Sequence, residues 1–203
     1  MFPQKAKALR CFLSGVLFVI LAGCASSDIV LRPNYQSEGK VAGKSGVVML
    51  AGKVEDNLAG SRVQWVLGEV RESGGKIKGN VVSEVSPSVL VRNSLQQELL
   101  RAGYTVPVSE QLPQNADRGL VLDKIMVKQD ELYSLVKSES DCQISFSVEV
   151  WKKGEKVNTL SFEARSSDFT VRDREKLHTE VMQKALSSAF SRAMPALIEA
   201  LDK

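Results

Sequence analysis

Two long alternating segments joined by a short polar turn limit the folds open to this chain. Residues 142–151 alternate apolar and polar side chains, and the pattern returns with Leu160, Phe162 and Ala164 on one face. A period of two is typical of strands with one buried side. The polar residues 152–155 between the segments predict a β-hairpin. Because both strands are long, we expect them to form a central antiparallel pair.

Two other stretches carry apolar residues at helical spacing. Ser86 and Pro87 predict a helix start, because a serine oxygen accepts from free backbone donors and a proline at that position loses no hydrogen bond. Gly103 is well placed to end this helix. A second apolar stripe over residues 173–201 predicts a C-terminal helix, in which Pro195 should cause a kink or an interruption.

The order of these elements predicts an α+β fold. Further strands are expected at residues 47–51 and 120–127, and an extended segment begins at residue 63. We therefore predict two helices packed on one face of a mostly antiparallel sheet of about four strands. The glycine-rich residues 68–80 predict a mobile loop or a hairpin tip. Their role and the strand order stay open.

The N-terminal residues have the layout of a secretory signal. Basic residues come first, an apolar run follows, and small residues end the segment. The apolar run of about a dozen residues is too short to span a bilayer comfortably. The segment is therefore expected to be removed from the mature protein.

Leu21, Ala22, Gly23 and Cys24 end this segment and resemble the lipobox of bacterial lipoproteins. In that family the cysteine thiol is joined to diacylglycerol, the chain is cut just before the cysteine, and the new α-amine is acylated. The resemblance implies cleavage between Gly23 and Cys24 and lipidation of Cys24, with palmitate as a typical acyl group. An uncleaved anchor, or a plain signal peptide with an incidental cysteine, is the alternative.

The residues after the cysteine bear on the location. In lipoproteins an aspartate directly after the cysteine favours retention in the inner membrane, whereas Ala25 and Ser26 follow here. The resemblance therefore implies the outer membrane. Several acyl chains on one residue give stable anchoring. We expect the anchored domain to face the periplasm, with the cell exterior as the open alternative.

These features divide the chain into three parts. Residues 1–23 are the predicted signal peptide, residues 24–45 a lipidated flexible tether, and residues 46–203 a single periplasmic α+β domain. Removing the signal leaves 24 basic and 24 acidic residues, so the mature protein offers no electrostatic footprint for nucleic acid. Residues 29–31 are apolar, and the sequence leaves open whether they pack on the domain or lie near the lipid.

The remaining residues give little support for catalysis or metal binding. His178 is the only histidine, and Cys142 is the only cysteine outside the predicted signal and lipidation site. A metal centre needs more such ligands, so we expect no metal, no cofactor and no catalytic residues. We expect His178 to be solvated and Cys142 to be a buried structural thiol rather than a reactive one.

Two segments extend the resemblance beyond the lipobox. They are VQWVLGEVRESGG at residues 63–75 and SPSVLVRNSLQQELLRAGY at residues 86–104. Together with the hairpin and the C-terminal helix, they resemble the small envelope lipoproteins of the YajG type. The layout is also similar to lipoproteins that assist lipopolysaccharide assembly and ABC-type lipid transport. The resemblance carries no catalytic motif and implies no specific partner.

We therefore expect a non-enzymatic binding or assembly accessory of the cell envelope that docks on another envelope protein. Trp65 and Trp151 are the candidate partner surface, because aromatic side chains are favoured at interfaces; core packing explains each tryptophan equally well. A lipid or glycolipid carrier is the second hypothesis, and it needs an apolar cavity between sheet and helices. An envelope hydrolase is the third. The partner or ligand and the oligomeric state stay open.

Overall fold

The computed structural model describes residues 28–37, 43–52 and 64–202. The predicted signal peptide, its cleavage site and the lipobox with Cys24 lie outside the described residues. Eight strands and two helices form the described part of the chain. In chain order they are β1 (Ile29–Leu31), β2 (Met49–Ala51), β3 (Trp65–Glu72), β4 (Ile77–Ser83), α1 (Pro87–Ala102), β5 (Val108–Ser109), β6 (Arg118–Tyr133), β7 (Ser138–Lys152), β8 (Glu155–Thr170) and α2 (Arg174–Asp202).

The eight strands belong to one curled, mixed sheet. Strands β6, β7 and β8 form an antiparallel meander, and β3 and β4 form a second antiparallel pair. Parallel pairs join β1 to β4, β3 to β6, and β2 to both β5 and β6. One edge of β6 thus holds β2 near its start and β3 near its end, while β7 runs along the other edge.

The prediction of an α+β fold is confirmed. The hairpin is present but is not a central pair, because β8 pairs only with β7 and forms an edge of the described sheet. The sheet is also larger than expected. It has eight strands and is mixed, rather than about four mostly antiparallel strands. The glycine-rich residues 68–80 supply much of the β3–β4 hairpin, with the turn at residues 73–76. Strands β1, β2 and β5 contain only two or three residues each, too few to show an alternating pattern.

Both helices bury their apolar stripes in one core against the same side of the sheet. On β7 every second residue from Cys142 to Val150 is buried and faces this core. The rings of Phe146 on β7 and Phe190 on α2 lie 5.5 Å apart between centroids. The helix-covered face is therefore filled by apolar side chains.

The predicted boundaries of α1 are confirmed. The Ser86 side chain accepts a hydrogen bond from the backbone N–H of Val89 at 3.2 Å, and Pro87 is the first helical residue. Gly103 ends the helix with φ of 105°. The C-terminal helix is also present, but it continues through Pro195 to its end. Buried residues on both sides of the proline hold the helix against the sheet, which outweighs the lost backbone bond.

The structure places residues 29–31, left open by the sequence, in the sheet. Ile29 and Leu31 are buried, and β1 runs parallel to β4. Further along, the Tyr35 hydroxyl donates to the Glu98 carboxylate on α1, and its ring packs against Phe190 on α2. Burial and the Glu98 carboxylate raise the pKa of Tyr35, so this hydroxyl stays a donor. Part of the segment assigned to the tether therefore lies in the domain.

We predict that Gly103→Ala destabilises the domain whereas Gly74→Ala does not. At Gly103 the backbone is left-handed, and an added Cβ would lie 2.1 Å from the carbonyl oxygen of Lys44. The expected loss of unfolding free energy is about 2 kcal/mol or more. An added Cβ at Gly74 meets nothing within 4 Å, so its effect should stay below about 0.5 kcal/mol. Guanidinium unfolding followed by circular dichroism measures both, and equal losses would contradict the assignment of Gly103 as the helix cap.

Candidate functional site

A groove of about 1130 Å³ opens on the sheet. It is lined by residues 110–114, the start of β3, the first residues of α1, parts of β6 and β7, and the glycines Gly52 and Gly154. Glu149 and Trp151 represent β7 here, and they alternate with the core-facing residues of that strand. Because successive side chains of a strand point to opposite faces, Glu149 and Trp151 reach the groove from the face of β7 turned away from the core.

The structure brings the two tryptophans singled out from the sequence together around this groove. Trp65 is the first residue of β3 and Trp151 is near the end of β7, and both line the groove. Each is half-buried, and neither belongs to the buried core. The Trp151 indole N–H donates to Glu149 at 3.0 Å, which fixes the orientation of that ring. We call this feature the tryptophan groove.

Charged side chains stand at several points of the tryptophan groove. The Lys156 ammonium donates to Glu149 at 2.9 Å. This hydrogen bond, and that from Trp151, hold the pKa of Glu149 below its usual value. Glu110, Asp123 and Lys124 also line the groove and are exposed. The groove thus combines two large aromatic rings with ionised groups of both signs.

An irregularity in β6 forms part of the groove wall. The pairing of β6 with β7 shifts between Asp123 and Met126, and Lys124 adopts a left-handed backbone with φ of 49°. Bulges of this kind redirect side chains, and a non-glycine residue in that conformation costs about 1–3 kcal/mol. Lys124 and Ile125 both line the groove. Sequence analysis did not identify this part of the site.

A second polar cluster lies beneath the first turns of α2, within the core. His178 is fully buried, so the expectation of a solvated histidine is wrong. Its Nδ1 atom lies 3.0 Å from Ser140 Oγ and 3.0 Å from Gln129 Nε2, and its Nε2 atom lies 3.2 Å from Glu131. These partners come from β6 and β7, and their side chains cross the interface between sheet and helix.

Glu131 is the charged centre of this buried cluster. The Arg174 guanidinium donates to both of its carboxylate oxygens at 2.8 Å. Burial alone would raise the pKa of Glu131, but hydrogen bonds from His178, Arg174 and Ser138 outweigh burial and lower it to about 2. The carboxylate is therefore ionised and ties α2 to the sheet.

Ser140, His178 and Glu131 are the residue types of a serine-hydrolase triad, but their setting differs. Ser140 is 1% exposed, and α2 covers it. A nucleophile must reach its substrate, and here the helix would first have to leave the sheet. In the described segments, no three His, Cys, Asp or Glu side chains come together in a way that would hold a metal ion.

The thiol of Cys142 is unreactive because it is buried in the core. Cys142 is fully buried on the helix-covered face of β7, and burial raises the pKa of its thiol to about 12. The prediction of a buried structural thiol is confirmed. Among residues 28–37, 43–52 and 64–202, neither helix is both long enough and apolar enough to cross a bilayer.

Comparison with known proteins gives only distant likenesses. No protein-family model and no curated protein matches the chain. A crystal structure of a Xanthomonas campestris protein is similar with 10% identity, 83% of this chain and 92% of that chain covered, and a TM-score of 0.49. The structure of rare lipoprotein B from Shewanella oneidensis is 13% identical; the match covers 65% of this chain and 93% of that chain, with a TM-score of 0.34. The structure of a minor lipoprotein from Acinetobacter baumannii is 10% identical; the match covers 66% of this chain and 92% of that chain, with a TM-score of 0.36. Likenesses this distant carry no functional argument, although solved lipoproteins are among them.

We predict that Glu131 makes stability depend on pH in the acid range. Its pKa in the folded protein is about 2 against an ordinary value of 4.5. The stabilisation is therefore complete above the ordinary value and is lost as pH falls towards 2. Between about pH 5 and 2 the unfolding free energy of the native protein should fall roughly 3 kcal/mol further than that of Glu131→Gln.

Chemical unfolding at a series of pH values measures this difference. Glu163→Gln is the matched control, because Glu163 is exposed on β8 and away from His178 and Arg174. It should keep the native pH dependence. The same acid slope in native protein and Glu131→Gln would show that Glu131 is not the group responsible.

Proposed function

We propose that this chain is a lipoprotein of the outer membrane, anchored through lipid on Cys24, whose periplasmic domain is a non-enzymatic binding or assembly accessory of the cell envelope. The anchor rests on the sequence Leu21-Ala22-Gly23-Cys24 that follows a basic and then apolar segment. The binding role rests on the domain. Its partner is expected to be another envelope protein.

The observation that carries the binding role is the convergence of Trp65 and Trp151 on one groove. Tryptophan is among the residues that dominate binding energy at protein interfaces. At about 1130 Å³, the groove exceeds the range of about 300–1,000 Å³ that is usual for small-molecule sites. An extended polypeptide segment therefore suits it better than a small metabolite does.

A lipid or glycolipid carrier is the second candidate. That function needs an apolar cavity between sheet and helices. The buried rings of Phe146 and Phe190 occupy this space, and charged groups line the tryptophan groove. The geometry thus favours a protein partner over an acyl chain in the core.

The non-enzymatic assignment rests on the position of the polar cluster beneath α2. Ser140 and His178 are both buried, and Arg174 and Gln129 already engage their neighbours. These contacts explain the cluster as a structural one that holds the helix on the sheet. An envelope hydrolase would need this cluster to open.

We predict that Cys24→Ser leaves an uncleaved precursor in the inner membrane. Without the thiol no diacylglycerol can be attached, and the processing that depends on it should stop. Immunoblotting of separated inner and outer membranes gives both size and location. Cys11→Ser is the matched control, because it changes a cysteine upstream of the lipobox and should mature normally. Normal maturation and outer-membrane fractionation of Cys24→Ser would overturn the anchor.

We predict that gentle solubilisation of envelopes recovers the native lipidated protein with one near-stoichiometric protein partner. Trp65→Ala and Trp151→Ala should each lower the recovery of that partner at least tenfold, because each removes a large aromatic contact worth about 2 kcal/mol. Quantitative mass spectrometry of the purified material measures the ratio.

Leu100→Ala is the matched control for these variants. Leu100 is a large apolar residue of α1 that is 50% exposed and does not line the groove, so its removal should leave the recovery of the partner unchanged. Thermal unfolding of each variant checks that the domain is folded. Recovery of the native protein alone, or with lipid only, would contradict the accessory role and favour the carrier.

A further inference from the structure

The turn between β6 and β7 has an unusual composition. The Ser134 N–H donates to the Lys137 carbonyl at 2.8 Å, which makes Leu135 and Val136 the central residues of a tight turn. Leu135 is 104% exposed and Val136 is 76% exposed. Tight turns favour Gly, Pro, Asn, Asp and Ser, so the geometry of the turn does not require two apolar residues here.

Other apolar residues continue this exposed surface at the same end of the sheet. Leu132 on β6 and Phe169 on β8 both pair with Glu139 of β7, so the three lie in one cross-strand row. Phe169 is 63% exposed, and Val171 just beyond it is 66% exposed. We call Leu132, Leu135, Val136, Phe169 and Val171 the apolar tip. Contiguous exposed apolar groups of this kind mark surfaces that contact a partner or a membrane.

Charged side chains of both signs surround the apolar tip, and the basic ones can approach acidic lipid headgroups. The Lys137 ammonium donates a hydrogen bond to the Glu139 carboxylate and also lies 5.8 Å from the centroid of the Phe169 ring. Lys76 in the β3–β4 turn and Arg172 after β8 are exposed at the same end, next to the exposed Asp173. Lysine and arginine close to a bilayer are attracted to acidic headgroups by about 1 kcal/mol each at most.

The path of the chain places its N-terminal part near this end. Asp28 accepts a hydrogen bond from the backbone N–H of Asn80 at 2.7 Å, and β1 runs from there along β4, away from the tip. Asn80 pairs with Glu69 of β3, and the Glu69 backbone N–H donates to the Asp130 side chain on β6. Asp28 is therefore level with Asp130 along the sheet. About five residues of β6, or roughly 17 Å, separate that level from Leu135.

The distance to the predicted lipid site is of the same size. Only three residues lie between Cys24 and Asp28. Four residue steps span at most roughly 14 Å, whatever their conformation. When these steps extend toward the apolar tip, an acyl group on Cys24 comes level with the end of the sheet that carries the tip.

We propose that the apolar tip rests in the headgroup region of the bilayer that holds the lipid anchor. This inference depends on the proposed lipidation of Cys24. The anchor and the tip then give the domain two contacts with the membrane and set its orientation. The Lys152–Glu155 turn lies 14 residue steps along β7 from the tip end, or roughly 45 Å, so Trp151 lies at the end of the hairpin far from the membrane.

Quenching by lipid-borne nitroxide tests this orientation. The full-length, naturally processed protein with Val136→Cys is labelled with a thiol-reactive environment-sensitive fluorophore and placed in phosphatidylethanolamine vesicles with a minor fraction of phosphatidylglycerol. Val157→Cys is the matched control, an exposed valine at the far end of the hairpin. Cys142 is buried and should stay unlabelled. We expect a severalfold stronger quenching at position 136 than at position 157.

The intact mass of the same preparation separates the two proposals. If the protein is acylated and position 136 is quenched no more than position 157, the proposed membrane contact of the apolar tip is wrong, while the lipid anchor on Cys24 is supported. A protein without the acyl mass would overturn the anchor, and the orientation with it. Weak quenching together with disulfide-linked dimers of unlabelled Val136→Cys would assign the tip to a second copy of the chain.

Discussion

The bulge in β6 determines which side chains of the central strand reach the core. Before it, Leu120 and Leu122 are buried; after it, Val127, Gln129 and Glu131 are buried. One extra residue in a strand moves every following side chain to the other face. Without the shift, Gln129 and Glu131 would face away from α2, and His178 would have no partner on that strand.

The same bulge connects the two polar regions of the domain. On the open face it presents Lys124 and Ile125 to the tryptophan groove. On the covered face it supplies the carboxylate that Arg174 and His178 bind. The packing of Val127, Gln129 and Glu131 in the core depends on this irregularity, and that packing offsets the cost of a left-handed backbone at Lys124.

The sequence predicts the elements of this fold whose signals are long and local. The hairpin from Cys142 and the helix from Ser86 to Gly103 need only periodicity and capping residues to be recognised. The β3–β4 hairpin was harder to identify, because glycine suggests a loop. Gly68 has another reason for being small: an added Cβ would lie 2.1 Å from the carbonyl oxygen of Gln129, where β3 passes close to β6.

The polar contacts that surround the buried His178 depend on the bulge in β6, which the periodicity of the sequence does not reveal. The meeting of Trp65 and Trp151 depends on how distant strands assemble in the sheet, so composition indicates the residues and not their proximity.

The direction of β1 determines how the domain withstands a mechanical pull. Because β1 lies alongside β4 and its chain continues away from Asp28, tension applied before Asp28 acts along the strand axis. The hydrogen bonds between the two strands are then sheared together instead of being peeled apart one after another. Beyond them, the Tyr35–Glu98 contact provides a further hold. A force that pulls the domain by its N-terminal end is therefore borne first by the β1–β4 hydrogen bonds. The core is loaded only after these bonds break.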